Sequence, residues 1–264
     1  MFGIIDTHCH LYFDQLFADL DGVIERAHNS GVELFIVPGI DLETSRMAIE
    51  LAERYSEIYA AIGIHPNSEI DYSEELFMAL QQLLPHPKIV AIGEIGLDYY
   101  RQRNNPEVQK AIFKRQLEIA SDMGLPVIIH NRDATQDVVK MVREWSQSQK
   151  DRYEGYPLGV FHAFSENLDW AKQIVDLGFL IGVGGVLTYP KSTLLREVVN
   201  QIPIEKIVIE TDAPFLPPQP YRGKTNEPAY LTVVVTELTK IKNLDKETMI
   251  KLINQNSRNL FGIN

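Results

Sequence analysis

Residues 4–10 read Ile-Ile-Asp-Thr-His-Cys-His, a short apolar run that ends in two histidines separated by one residue. In a strand, side chains alternate between the two faces, so His8 and His10 are expected on the same face as Asp6. Two imidazoles on one face at the end of a strand can chelate a metal ion. An isolated pair of this kind is more often simply hydrogen-bonded at the strand terminus, so the rest of the chain has to decide.

Seven further short runs in the chain are nearly continuous in apolar residues. Such runs are typical of parallel strands that are covered on both faces. They lie at residues 34–37, 58–63, 89–93, 127–129, 158–161, 179–183 and 207–209.

Between the runs, apolar residues recur every three or four positions, which is typical of amphipathic helices. One helix is predicted from Pro106 to Gly124, and Asp245 is expected to cap a last helix that runs towards Phe261. Strand followed by helix, eight times over, predicts an α/β fold, a (β/α)8 TIM barrel in one domain of residues 1–264. An open, doubly wound sheet is the alternative.

Composition restricts the class of protein. The net charge of −11 argues against a general surface for polyanions, although it leaves room for a nucleic acid held at one metal-rich site. Cys9 is the only cysteine, which excludes an intrachain disulfide and favours a reducing, cytoplasmic setting. No apolar run approaches the roughly 18 residues of a membrane span, so no membrane association is expected. Nothing indicates an obligate protein partner.

Polar side chains follow most of the predicted strands. Active sites of TIM barrels gather where strand carboxyl ends meet their loops, so these side chains are expected to meet at one mouth. Four histidines and two carboxylates exceed the three protein ligands that one catalytic zinc ion usually takes, and they suit two ions. The six predicted metal ligands are His8, His10, Glu94, His130, His162 and Asp212.

Two ions about 3.5–4 Å apart need a bridging group, and a carboxylate has two oxygens for this purpose. Glu94 is the natural candidate, with His8, His10 and Asp212 on one ion and His130 and His162 on the other. Mixed imidazole and carboxylate ligands suit zinc, manganese or iron, and magnesium is not excluded.

The expected chemistry is hydrolysis. Divalent ions bring the pKa of bound water towards about 7, so a nucleophile is available without a strong protein base. Asp212 is expected both to bind metal and to accept the proton, which makes Asp212 and Glu94 the predicted catalytic residues.

With these residues in place, the chain resembles the TatD family of metal-dependent hydrolases along nearly its whole length. The resemblance rests on seven segments in the family's order. They are IDTHCHL at 5–11, GIHP at 63–66, GEIGLDYY at 93–100, IIHNRDA at 128–134, FHAFS at 161–165, ETDAPFLPP at 210–218 and YRGKTNEP at 221–228.

The resemblance implies a TIM barrel of the amidohydrolase type, a divalent-metal centre and metal-dependent deoxyribonuclease activity, including exonuclease action from the 3′ end. The family's metal ligands fall on the same six positions, with no departure at any of them. Glu94 takes the place of the modified lysine that bridges the metals of many amidohydrolases. The implied partner is DNA, single-stranded or with frayed ends.

Several residues near the strand ends are candidates for contact with substrate. His65 is expected either to hydrogen-bond a phosphate or to cap its strand, and Arg132 either to face the site or to pair with Asp98 or Asp133. Four basic residues are also expected to form a positive rim for a phosphodiester around the site; the alternative is that they are simply solvated surface residues. The rim comprises Arg101, Arg103, Arg222 and Lys224.

Three acidic residues are expected to orient the ligating imidazoles through hydrogen bonds. They are Asp6, Asp98 and Glu210. Tyr99 and Tyr100 are expected either to stack on a base or to pack beneath their loop.

Three functions follow from these features. The first is a phosphodiesterase that acts on nucleic-acid ends. The second is an amide or ester hydrolase that acts on a small molecule through the same metal site. The third, a metal-binding module without catalysis, fits poorly with a complete ligand set.

Overall fold

The eight predicted strands form one parallel sheet. A computed structural model describes residues 3–69, 73–101, 103–149 and 155–263 of the chain. Each strand pairs with the next strand in sequence, from the first to the eighth. The strands are β1 (Ile4–Asp6), β2 (Val32–Pro38), β3 (Ile58–Ile62), β4 (Ile89–Asp98), β5 (Val127–Arg132), β6 (Gly159–Phe161), β7 (Phe179–Val183) and β8 (Ile207–Ile209).

Helices follow the strands in alternation, as the apolar spacing predicts. Asn105 caps α5, with Pro106 in its first turn, and Gly124 ends it in the left-handed conformation at φ 67°. Asp245 caps α10, which ends at Phe261 as predicted. The helices are α1 (Asp14–Phe17), α2 (Leu20–Asn29), α3 (Leu42–Arg54), α4 (Glu74–Gln81), α5 (Pro106–Met123), α6 (Thr135–Gln147), α7 (Leu168–Asp176), α8 (Thr193–Gln201), α9 (Leu231–Lys242) and α10 (Lys246–Phe261).

The sheet closes just beyond the ends of β8 and β1. The Thr7 N–H donates to the carbonyl oxygen of Ile209 at 3.2 Å, and the Asp212 N–H donates to that of His8 at 2.9 Å. Sequential strand order with this closure confirms the TIM barrel and excludes the open, doubly wound sheet.

Asp6 reinforces this closure from within the protein. Its carboxylate is fully buried and accepts the Thr211 backbone N–H at 2.9 Å, the Thr211 hydroxyl at 2.6 Å and the His8 N–H at 3.3 Å. The sequence suggested that Asp6 orients an imidazole ring, but its hydrogen bonds go to Thr211 and to the backbone of His8. It joins the end of β1 to the segment after β8.

We expect Asp6→Ala to lower the free energy of unfolding by about 2–4 kcal/mol, because it leaves buried donors of Thr211 and His8 without an acceptor. Urea denaturation of the purified protein measures this loss. Burial raises the pKa of Asp6 to about 7, so Asp6→Asn, which is neutral and keeps one oxygen, is the matched control and should cost less. A loss below about 0.5 kcal/mol for Asp6→Ala would contradict the closing role.

Two apolar layers surround the strands. The larger layer joins outward-facing strand residues to the helices. The smaller fills the barrel interior and takes residues from all eight strands, among them Ile5, Ile36 and Leu180. Leu260 and Phe261 at the end of α10 pack against this interior cluster. Such packing on two faces leaves the carboxyl ends of the strands as the place for polar side chains.

Two strands are longer than the apolar runs indicated. β4 continues through Glu94 to Asp98, and β5 includes His130, so both ligands lie within strands and not beyond them. At the first strand the chain departs from strict alternation: Ile4 packs in the outer layer, yet His8 and His10 meet at the mouth. The strand ends at Asp6 and the chain bends, so the alternation rule no longer applies there.

Glycine permits the close approach of β4 and β5. Gly96 pairs with His130 and has a φ of 147°, which side-chain-bearing residues rarely adopt. A Cβ atom at this position would collide with the carbonyl oxygen of His130. The absence of a side chain thus brings Glu94 and His130 within reach of each other.

Within the described ranges, none of the helices combines the length and the apolar character needed to cross a lipid bilayer.

Candidate metal centre

Glu94 lies at the barrel mouth, and its two carboxylate oxygens face different imidazoles. Its Oε1 atom is 2.8 Å from His130 Nδ1 and 2.7 Å from His162 Nε2. Its Oε2 atom is 3.3 Å from His8 Nε2 and 3.5 Å from His10 Nε2. The residue is only 3% exposed. The two oxygens of one buried carboxylate therefore face two different sets of nitrogen atoms.

Asp212 completes the set that faces Oε2 of Glu94. Its Oδ1 atom lies 3.7 Å from His8 Nε2 and 3.6 Å from His10 Nε2. The residue has a φ of 57°, in the left-handed region, and the hydrogen bond from its N–H to the His8 carbonyl holds it there. His8, His10 and Asp212 thus form a cluster whose ligand atoms lie within 4.8 Å of one another.

Two imidazoles have a hydrogen-bond acceptor at their outer nitrogen atom. His10 Nδ1 is 3.2 Å from the Pro38 carbonyl oxygen, and His130 Nε2 is 3.2 Å from Asp98 Oδ2. An acceptor at the outer nitrogen keeps the proton there and leaves the inner lone pair free for a metal. His162 Nδ1 lies 3.8 Å from Glu210 Oε1, a separation too long for a hydrogen bond. The structure therefore brings Asp98 to the position that the sequence predicted, whereas Oε1 of Glu210 accepts the Ala163 N–H beside His162.

The buried charges at the centre stabilise one another. Burial by itself raises the pKa of Glu94, but the charges and hydrogen bonds of His162, His65 and His130 outweigh it and hold that pKa well below its usual range. Burial likewise acts to lower the pKa of His162, yet the charge of Glu94 dominates and raises it to about 10. The Glu94 carboxylate is thus ionised although it is buried, and a buried negative charge of this kind is stabilised by nearby positive charge.

The pKa shifts of His8 and Asp212 determine the charge of each at neutral pH. Burial and the neighbouring charge of His162 lower the pKa of His8 to about 4. The pKa of Asp212 is lowered in spite of burial, because the adjacent imidazole of His10 and the charge of His162 outweigh the effect of burial. His8 is therefore a neutral ring and Asp212 an ionised carboxylate at neutral pH.

This donor set fits divalent cations. Imidazole nitrogens and ionised carboxylate oxygens meet from β4, β5 and the segments after β1, β6 and β8, and outer acceptors set the ring orientation of His10 and His130. The buried Nδ1 atoms of His8 and His162 have no hydrogen-bond partner within the described residues. Mixed nitrogen and oxygen ligation suits zinc or manganese, and the carboxylates also accept magnesium.

A cavity of about 700 Å³ opens above the centre. One wall is cationic and carries Arg101, Arg103 and Arg132. Another part of the lining is apolar and is formed by Phe13, Phe215 and Leu216. Phe215 is 47% exposed and its ring centroid lies 5.6 Å from that of Phe13, so an apolar surface faces solvent beside the metal ligands.

Comparison with known proteins identifies the family. A model of TatD related DNases matches residues 5–262 of the chain. The chain belongs to this family. It is 40% identical to YabD, an uncharacterised metal-dependent hydrolase of Bacillus subtilis (strain 168), over 261 residues that cover 99% of this chain and 100% of YabD.

Other TatD relatives agree with this assignment. The chain is 32% identical over 265 residues to the 3′-5′ ssDNA/RNA exonuclease TatD of Klebsiella pneumoniae (strain 342), with 98% of each protein covered. The crystal structure of YjjV, a TatD homologue from Escherichia coli K12, superimposes with a TM-score of 0.92 at 33% identity, covering 99% of this chain and 98% of YjjV. As a TatD family member the chain is a metal-dependent hydrolase, and the resemblance inferred from its motifs is confirmed.

The basic residues predicted around the TatD site separate into two groups. Arg101 and Arg132 line the cavity, and neither forms an ion pair with an acidic side chain among the described residues. The Arg132 guanidinium lies 4.5 Å from the ring centroid of Tyr100. Arg222 does not line the cavity, because its guanidinium rests 4.3 Å from the ring centroid of Tyr189. Its role in substrate binding stays a prediction.

The two tyrosines that follow the end of β4 differ in their surroundings. Tyr100 is 64% exposed and stacks under Arg132, so it is not packed beneath its loop. Tyr99 is half-buried and donates to Asp137 at 2.7 Å. Gln102, in the same predicted loop, lies outside the described residues.

The apolar wall is the part of the TatD site that sequence reasoning missed. Phe13 follows the His-x-His pair by three residues, and Phe215 follows Asp212 by three. This equal spacing after two ligands was the available signal. From sequence alone, an aromatic residue near a ligand is more simply explained as part of the hydrophobic core, so the signal is weak.

Proposed function

We propose that this protein is a deoxyribonuclease that hydrolyses phosphodiester bonds at the 3′ end of single-stranded or frayed DNA, using two divalent metal ions. The observation that carries the proposal is that the two oxygens of Glu94 face different groups of imidazole nitrogens. A carboxylate placed in this way suits a bridge between two ions about 3.5–4 Å apart.

The ligands follow from the distances. His8, His10 and Asp212 would hold one ion with Oε2 of Glu94, and His130 and His162 would hold the other with Oε1. Ions bound there supply Lewis-acid polarisation of a phosphoryl oxygen and lower the pKa of water. Zinc, manganese and magnesium are the candidates.

Asp212 is the residue suited to take the proton of the attacking water. Its side chain is 14% exposed and lines the cavity, so it can reach both the centre and a substrate. It is ionised at neutral pH, because the adjacent imidazole of His10 and the charge of His162 outweigh the effect of burial on its pKa. A positioned carboxylate in this role contributes about 10²–10⁴ in rate.

The walls of the cavity suit an unpaired nucleotide. Arg101 and Arg132 present guanidinium groups that are free to bind backbone phosphates. Phe13 and Phe215 offer apolar faces on which a base can stack, an interaction worth about 1–3 kcal/mol per base. The net charge of −11 confines the attraction to this cavity, which favours chain ends over long stretches of DNA.

We expect chelation followed by dialysis to abolish cleavage of single-stranded DNA, and added Mn²⁺, Mg²⁺ or Zn²⁺ to restore it. The measurement uses a 5′-labelled oligonucleotide on a denaturing gel, where 3′ digestion gives a descending ladder. A phosphorothioate at the last 3′ linkage should slow the ladder, and the same change at the 5′ end is the control.

Two outcomes would contradict the proposal. Equal protection by the 5′ and 3′ phosphorothioates would contradict the direction of digestion. Absence of cleavage with all three ions, together with turnover of an aryl ester or an N-acyl substrate, would instead show the amide or ester hydrolase.

A further inference from the structure

His65 lies on the loop after β3, beside the metal centre. Its Nε2 atom is 3.4 Å from Oε1 of Glu94, and its ring centroid is 4.3 Å from that of His130. The ligand atoms of these three residues lie within 4.8 Å of one another. Distance alone would therefore make His65 a further metal ligand.

The outer nitrogen of His65 distinguishes it from the imidazoles described above. His65 Nδ1 accepts the backbone N–H of Asn67 at 3.0 Å. A backbone N–H can only donate, so Nδ1 must carry a lone pair and no proton. The neutral ring then has its proton on Nε2, the atom that faces the centre. His10 and His130 have the opposite arrangement, with acceptors at their outer nitrogens.

The surrounding turn fixes this arrangement. The His65 N–H donates to the Ile40 carbonyl oxygen at 2.8 Å, and the Ser68 hydroxyl donates to the same oxygen at 2.6 Å. The Asn67 side chain donates to Oδ2 of Asp98 at 2.6 Å. The turn is thus held on both sides, and the Asn67 N–H cannot leave His65 without breaking other hydrogen bonds.

We propose that His65 is not a metal ligand but a fixed N–H donor to a phosphoryl oxygen of the substrate. This inference rests on the proposed function for the identity of the substrate. The side chain is 14% exposed and lines the cavity between Glu94 and the cationic wall. A donor preorganised in a half-buried site stabilises the charge that develops on the phosphoryl oxygens, and loss of one such donor costs about 10²–10³ in kcat.

The test of the proton position uses the zinc-loaded wild-type protein. Long-range ¹H–¹⁵N correlation spectra of the histidine rings report which nitrogen carries hydrogen. We expect His65 to show the proton on Nε2 and an unprotonated Nδ1. A metal-bound Nε2 without a proton would overturn the proposal, whether or not the protein cleaves DNA.

Two substitutions test the function of the donor. Asn reaches only to the position of Nδ1, whereas Gln places an amide N–H near the position of Nε2. We expect His65→Asn to lower kcat/KM on single-stranded DNA by about 10²-fold and His65→Gln to recover most of that loss. Elemental analysis should show wild-type metal content in both variants.

His86→Asn is the matched control. His86 Nδ1 also accepts the N–H of the residue two positions later, Lys88, at 3.3 Å, but His86 does not line the cavity. Its activity should equal that of the wild type. Loss of an ion in His65→Asn, or unchanged kcat/KM in that variant, would refute the donor role. Failure of the wild type to cleave DNA would refute the proposed function and would leave the spectra and the metal content to decide the role of His65.

Discussion

Glu94→Gln is expected to reduce the metal content from two ions per chain to one or none and to lower DNA cleavage by about 10³-fold or more. Gln keeps the shape of the side chain but removes the charge that the surrounding imidazoles stabilise. Loss of one preorganised electrostatic group already costs about 10²–10³, and here both ions lose a ligand. Elemental analysis after desalting, beside a gel assay of cleavage, measures both effects.

Glu69→Gln is the matched control for this variant. Glu69 also lines the cavity, but its side chain is 74% exposed and pairs with Arg103 at 3.3 Å on the surface. The control should bind two ions and keep wild-type cleavage. Two ions in Glu94→Gln would refute the bridging role, even if turnover were lost.

Asp212→Asn is expected to keep most of the metal and to lower kcat by about 10²–10⁴-fold. Asn retains an oxygen near His8 and His10, so binding of the first ion is weakened less than the chemical step. It cannot accept the proton of the attacking water, because an amide is not a base at neutral pH. Steady-state kinetics with a fluorescent oligonucleotide, together with metal analysis, separate the two effects.

Asp133→Asn provides the comparison. Asp133 also follows a barrel strand and also has a left-handed backbone, at φ 53°, but its side chain is exposed and outside the lining of the cavity. Its kcat should not change. An Asp212→Asn variant with full metal content and a wild-type rate would remove Asp212 as the proton acceptor.

The barrel was predictable from sequence because its strands are buried on both faces. Runs such as 179–183 and 207–209 coincide with β7 and β8. The ends of β4 and β5 were not predictable, since the runs stop where polar ligands begin while the hydrogen bonds continue to Asp98 and Arg132. Apolar character marks burial, and here burial and strand pairing end at different residues.

The convergence of the predicted metal ligands was also predictable, because the carboxyl ends of parallel strands meet at one mouth whatever the loops do. The proton positions and hydrogen-bond partners of individual side chains were not predictable. The proton position in His65 depends on the backbone N–H of Asn67, and the use of Asp6 depends on Thr211, which is far away in sequence. Such contacts depend on side-chain rotamers and loop conformations, which spacing along the chain does not specify.

Anomalous diffraction from crystals of the wild-type protein loaded with Mn²⁺ tests the central claim most directly. We expect two manganese peaks about 3.5–4 Å apart on either side of the Glu94 carboxylate, one beside His8, His10 and Asp212 and the other beside His130 and His162. A single peak, or peaks that do not contact Glu94, would contradict the two-ion centre.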